Sequence, residues 1–224
     1  MTTRSHEDAG RIAFAVHPDL APALRAGVLA FGGVLVRARD EALDAALLDA
    51  EAGLCAASGQ AGTVAAVRTL YARVGLDPTR TRPSSEALLR RLRKGNRLPA
   101  VNTVVDVGNW CSAETQLPFG LYDLDRLEGP LELRLGRPAE EYPGIRKEVV
   151  HVGGRITLAD ANGPFGNPTS DSARTMVTGE TRRVLVVIFA PRQLGEAPVL
   201  RALDLTSGRL ARYAGGHEIE QLTI

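Results

Sequence analysis

The hydrophobic pattern changes period at Pro118, and no other feature constrains the fold of this chain as much. Before it, Glu41 to Ser58 carries Leu43, Ala46, Leu47, Ala50 and Leu54 at helical spacing, and Thr63 to Val74 repeats that spacing through Val64, Val67, Leu70 and Tyr71. Ser84 or Ser85 starts a third helix, with Glu86 in its first turn and Gly95 as its stop, and residues 100–113 are predicted to form a fourth. After Pro118, residues 131–135, 149–152, 156–158 and 184–189 are short apolar runs bounded by Gly, Pro and Asp, which read as strands. Two strands are also expected ahead of the helices, at 12–17 and 26–37. A last helix over about 199–213 and an alternating tail at 217–224 complete the reading.

The chain has 224 residues, enough for one domain, here residues 11–224 behind a polar tail at 1–10. Cys55 and Cys111 have no partner motif, so a reducing cytoplasm is expected rather than a disulfide framework. The longest apolar run, Ala26 to Val36, is interrupted by glycines and falls short of the roughly 20 residues needed to cross a bilayer. No membrane association is expected, and the polar start (Arg4, His6, Glu7, Asp8) lacks the apolar centre of a secretory signal. A net charge of +1 argues against a protein that coats polyanions with its whole surface.

Charge is instead concentrated locally. Residues 68–97 hold nine basic side chains (Arg68, Arg73, Arg80, Arg82, Arg90, Arg91, Arg93, Lys94, Arg97) against Asp77 and Glu86. Such a segment can neutralise several phosphates, or can be a solvated helix face whose Arg stems cover apolar surface. Ser84 and Ser85 can cap the third helix or help receive an anion at its start. Asn102, Asp106 and Asn109 share one helical face and can line a pocket or tie down the following loop. Asp123 and Asp125 fit turn-stabilising hydrogen bonds better than a metal site. The segment from Asp160 to Thr175 is dense in hydroxyl, amide and guanidinium groups, as recognition loops are. Four scattered histidines, a Cys111 beside Trp110 that reads as a packed thiol, and the absence of phosphate-loop, nucleophile-elbow and zinc motifs point to no cofactor and no metal.

From Tyr71 to Pro191 the residues resemble a known family. Val101-Asn-Thr-Val-Val-Asp-Val-Gly-Asn109, followed by Leu117-Pro-Phe-Gly-Leu-Tyr-Asp-Leu-Asp125, are similar to the B3/4 editing domain of the phenylalanyl-tRNA synthetase beta subunit. Solo proteins of this family resemble the chain more closely still. They match it at Gly75-Leu-Asp-Pro78, Arg82-Pro-Ser-Ser-Glu86, Leu98-Pro99, Tyr122-Asp123, Asn167-Pro-Thr-Ser-Asp171-Ser-Ala-Arg174-Thr175 and Phe189-Ala-Pro191. The resemblance implies an α+β fold with a helical layer on a β-sandwich-like mixed sheet core. It also implies a cytoplasmic protein that meets tRNA or aminoacyl-tRNA, with no DNA partner. No counterpart of the synthetase's catalytic-like or anticodon-binding modules is recognised, so ligase activity is not implied.

The function implied is trans-acting hydrolysis of wrongly charged tRNA. Editing answers a physical need, because a hydrophobic pocket rejects an added hydroxyl by only about 100-fold. On this reading residues 82–90, 102–123 and 165–181 converge on one pocket. Asp171 and Arg174 are the candidate catalytic pair, with Asp171 positioning water. Ser85, Glu86, Asn102, Asn109, Gly120, Tyr122, Thr175 and Thr178 contact substrate, and Arg82, Arg90, Arg91, Arg93 and Lys94 hold RNA phosphates. The chain departs from the synthetase at Gly120, where the synthetase has a His directly before its Ala-Phe-Asp segment. Two alternatives stand beside hydrolysis of aminoacyl-tRNA: a non-catalytic module that binds RNA, a free amino acid or a protein in the same pocket, and a small-molecule hydrolase unrelated to tRNA.

Overall fold

The computed structural model describes residues 11–56, 61–146 and 149–224. The chain enters through a short strand β1 (Phe14–Val16) and a long one, β2 (Leu24–Gly32). β2 stops short of the expected residue 37 because Gly33, at φ +73°, turns the chain away from the sheet. Four helices follow where apolar residues recur at helical spacing: α1 (Glu41–Ala56), α2 (Ala61–Arg73), α3 (Ser84–Arg93) and α4 (Thr103–Thr115). Residues 57 and 58, expected at the end of the first helix, lie outside the described residues.

The second half is built of short strands: β3 (Phe119–Asp123), β4 (Leu131–Leu135), β5 (Glu141–Tyr142), β6 (Val150–His151), β7 (Ile156–Asp160), β8 (Gly163–Gly166) and β9 (Arg183–Pro191). A last helix α5 (Ala197–Ala214) and strand β10 (His217–Thr223) end the fold. β3, β5 and β8 carry no strong sequence signal. Each is short, and Pro118, Gly120, Gly163 and Gly166 interrupt the alternation that marks a strand.

Two four-stranded sheets stack, one ordered β10-β2-β9-β3 and the other β1-β4-β7-β8, with β5 and β6 paired beside them. All pairings are antiparallel except β1 with β4. β9 shows why three layers form. Val184, Val186, Ile188 and Ala190 join a core with Leu43, Leu47, Val104, Val107, Val199 and Leu203 of the helices. Leu185, Val187 and Phe189 alternate to the opposite face and join Leu131, Leu133, Ile156, Leu158 and Phe165 of the second sheet. A strand apolar on both faces has to lie in the middle layer. Burying each such side chain contributes about 1.5–3 kcal/mol before chain entropy is counted. The helical layer on a β-sandwich implied by the resemblance is therefore present, and no described helix is long and apolar enough to cross a membrane.

Candidate functional site

A cavity of about 480 Å³ opens where the start of α3, one face of α4, strand β3 and the β8–β9 connection meet. Val105, Phe119, Leu121, Met176 and Val177 give it apolar walls, and Asn109, Ser84 and the run Asn167–Asp171 give it polar ones. Its rim is unusually apolar for a surface: Val101 is 44% and Ile145 50% exposed. The β5–β6 connection contributes Gly144, Ile145 and Arg146.

The polar wall is held rigid by its own hydrogen bonds. Asn167 Oδ1 accepts from the N–H groups of Thr169 (2.8 Å) and Ser170 (2.9 Å), while its Nδ2 donates to the Tyr142 hydroxyl at 2.9 Å. Tyr142 in turn donates to the Ser170 carbonyl, and Tyr71 donates to that of Pro168 at 3.2 Å. These bonds present Asp171 to the cavity. Burial pushes its carboxyl up to about 7, while a hydrogen bond from the Tyr122 hydroxyl at 2.7 Å and the backbone of Leu121 pull the other way. Near neutral pH it is therefore divided between acid and carboxylate, the state a general base needs for catalysis.

Tyr122 lies beneath this wall, fully buried, with its ring edge-on to Phe165 at 4.9 Å. A Cβ built on Gly120 would sit 2.2 Å from the Tyr122 hydroxyl, and one on Gly166 would sit 2.3 Å from it. The tyrosine thus occupies the volume a side chain at position 120 would need.

Residues from the three expected regions line this cavity, Asn109 and Asp171 among them. Other candidates are placed elsewhere. Arg174 makes a two-pronged ion pair with Asp160 (2.8 and 2.9 Å) and binds the Arg126 carbonyl at 3.2 Å, so it clamps loops together outside the cavity lining. Asn102 caps α4, accepting from Val105 N–H at 3.0 Å, and Asp106 accepts from Val101 N–H at 2.8 Å. Helix phase exchanges the two serines: Ser84 lines the cavity, its hydroxyl buried without a protein partner, while Ser85 donates to the Gln116 carbonyl at 3.0 Å. Neither caps α3, which follows Pro83. Thr175 is fully buried outside the lining, and Thr178 stabilises a turn by accepting from Glu180 N–H at 3.3 Å.

Asp123 behaves as a turn residue, accepting from Asp125 N–H at 3.1 Å. Burial pushes the Cys111 thiol up, away from nucleophilic use. Residues of the β5–β6 connection were not anticipated. The one signal for them was the exposed apolar Ile145 flanked by glycine and arginine, too slight to read as a wall. Among the described residues no group of three or more His, Cys, Asp and Glu side chains is arranged to hold a metal.

The basic segment partly neutralises itself. Glu86 pairs with Arg68 at 3.0 Å and Arg82 at 3.2 Å, so neither Glu86 nor Arg82 is available as expected. Arg97 pairs with Glu51, and Arg91 donates to the Arg97 carbonyl at 2.5 Å. Arg73, Arg90, Arg93 and Lys94 remain exposed and outside the ion pairs of the described residues.

A three-layer α+β fold with a semi-polar cavity between helices and sheet defines the class of protein. Residues 66–222 match the model of the B3/4 domain, and the chain belongs to that family. It is 32% identical over 146 residues to a phenylalanine–tRNA ligase beta subunit from Idiomarina loihiensis, covering 61% of this chain and 17% of that one. To the corresponding subunit of Bartonella henselae it is 28% identical over 121 residues, covering 53% and 15%. The chain thus spans under a fifth of the length of these relatives. Among solved structures, an N-terminal fragment of the phenylalanyl-tRNA synthetase beta subunit from Pyrococcus horikoshii shares the fold, with a TM-score of 0.53 at 14% identity, covering 96% of this chain and 54% of that one.

Proposed function

We propose that this protein hydrolyses the ester of wrongly charged aminoacyl-tRNA, acting in trans, in the cytoplasm. Family membership and the beta-subunit relatives support a role connected with tRNA. The observation that carries the chemistry is Asp171, a carboxyl poised near neutrality in a largely apolar cavity of ligand size. An aminoacyl ester is already activated, so a positioned water is a greater need than a strong base. Ionised Asp171 takes a proton from water as its oxygen attacks the ester carbonyl carbon. The tetrahedral intermediate then collapses, the carbon–oxygen bond to the ribose breaks, and the departing ribose oxygen recovers the proton from Asp171. Asn109 and the Ser84 hydroxyl supply hydrogen-bonding groups along the same walls. Arg73, Arg90, Arg93 and Lys94 would hold backbone phosphates, which position an RNA without reading its bases.

Tyr122 in the space over Gly120 favours one other reading, a module that binds an aminoacyl end without turnover, since no imidazole can enter from that position. Incubating the purified protein with a panel of correctly and wrongly charged tRNAs separates the two. Release of amino acid above the spontaneous rate, abolished by Asp171→Asn, is the expected result. A panel left wholly intact, with salt-dependent RNA binding retained, would overturn hydrolysis in favour of binding.

A further inference from the structure

Beneath the cavity lies a tyrosine whose seat is cut out of two strands. Tyr122 sits on β3 with glycines on both sides of its phenol: Gly120 two residues earlier on the same strand, and Gly166 at the end of β8 in the opposite sheet. Any side chain at either position would overlap the phenol, at 2.2 Å and 2.3 Å from its oxygen for a Cβ alone. Phe165 closes the slot with its ring edge-on. Gly166 also bridges to Asp171 along the backbone, so one residue both shapes the slot and sets the carboxylate above it. Among the described residues the phenol donates to one partner, Asp171 Oδ1 at 2.7 Å.

We infer that Tyr122 is a positioning residue: the glycine slot holds its hydroxyl against one carboxylate oxygen of Asp171 and thereby fixes how that carboxylate faces the cavity. It never meets substrate, since it lies outside the cavity lining. The phenol is suited to the task because burial and the neighbouring carboxylate push it well above its ordinary value, so it stays a donor at every usable pH. The Tyr142 phenol feels the charge of Asp171, and Arg146 is the other ionisable residue of the described lining. This role deepens the hydrolytic reading and rests on it for its catalytic meaning, although the anchoring itself can be measured without turnover.

Tyr122→Phe keeps the ring in its slot and removes only the donor, so the fold is retained. Following the Asp171 carboxyl by ¹³C NMR against pH, its titration should move up by about one unit in the variant, because the bond favours the ionised form. The acid limb of kcat/KM for deacylation should move up equally, with KM changed less than twofold and activity recovered at higher pH. Gly166→Ala, which displaces the phenol instead of deleting its hydroxyl, should produce the same shift. An Asp171 titration that is unmoved or lowered in Tyr122→Phe would overturn the inference, even with an active wild type. A titration that moves in a protein with no deacylase activity would leave the anchoring established and remove the hydrolytic reading.

Discussion

Two buried aspartates flank the same loop and meet opposite fates. Asp160, at the end of β7, has a fully buried side chain that receives both guanidinium nitrogens of Arg174 and the N–H groups of Glu128 (3.1 Å) and Asn162 (2.9 Å). Asp171, eleven residues on, makes no ion pair among the described residues and is held by the Tyr122 phenol and the backbone of Leu121. A buried carboxylate without a partner is costly, and the group tends to neutralise instead. The pairing of Asp160 makes it architecture. The pairing withheld from Asp171 leaves its proton loosely committed, which serves chemistry better than stability.

The largest effect that sharpens this contrast is on activity. Asp171→Asn keeps the shape and removes the base, so deacylation should fall by about 10²–10⁴-fold, as loss of a general base does elsewhere, measured as amino acid released at pH 7.5. Wild-type activity should rise with pH through about 7 as the carboxyl ionises, since only the deprotonated form accepts a proton from water. Activity that is flat across that range would break the assignment. Arg174→Ala should do the reverse, leaving the cavity intact but stranding Asp160, with a loss of about 2–4 kcal/mol in urea unfolding once the partial exposure of Arg174 is allowed for. Arg174→Lys should recover only part, because an ammonium cannot reproduce the two-pronged bond.

A third measurement follows Asp171 through the dependence of stability on pH. The folded chain holds the Asp171 proton more tightly than the unfolded chain, about 7 against an ordinary 3.8. Its contribution to stability is therefore full below about pH 4, declines as pH rises, and is lost above about 7. Asp171→Asn should abolish that decline, leaving the variant more stable than wild type at pH 8 by about 2 kcal/mol once solvent access to the cavity is discounted. A cavity carboxyl whose removal stabilises the fold would be the signature of function held at the expense of stability.

Long periodic elements were legible in the sequence, and so were the chain regions that form most of the cavity, the β5–β6 connection excepted. Pairings between distant residues were not. Arg174 read as catalytic because its segment is rich in polar groups, yet its partner is fourteen residues away and is brought to it by the β7–β8 turn. Asn102 shares a helical face with Asn109 by spacing, but it sits at the cap position, where its side chain turns back onto its own helix. Ser84 and Ser85 differ by about 100° of helix phase, a distinction smaller than the error of any boundary read from sequence. β3 was hidden by Pro118 and Gly120, and Gly120 is required by the tyrosine two residues later. In this protein the residues that disguise a strand are part of what equips the site.

The smallest effect is expected on the basic surface. The sequence offered nine cations between residues 68 and 97, but Glu86, Asp77 and Glu51 lie within reach of four of them (Arg68, Arg82, Arg80 and Arg97). A cation already paired adds little to phosphate binding, because it must give up its partner first. Arg93→Glu should therefore weaken tRNA binding and lower the slope of log affinity against log salt by about 1, while Arg82→Glu, whose cation is already engaged by Glu86, should change the slope less. Equal slopes for the two variants, from filter binding at several salt concentrations, would show that Glu86 releases its arginines when RNA arrives. The surface would then be a set of exchangeable pairs, unlike the fixed pair of Asp160 and Arg174.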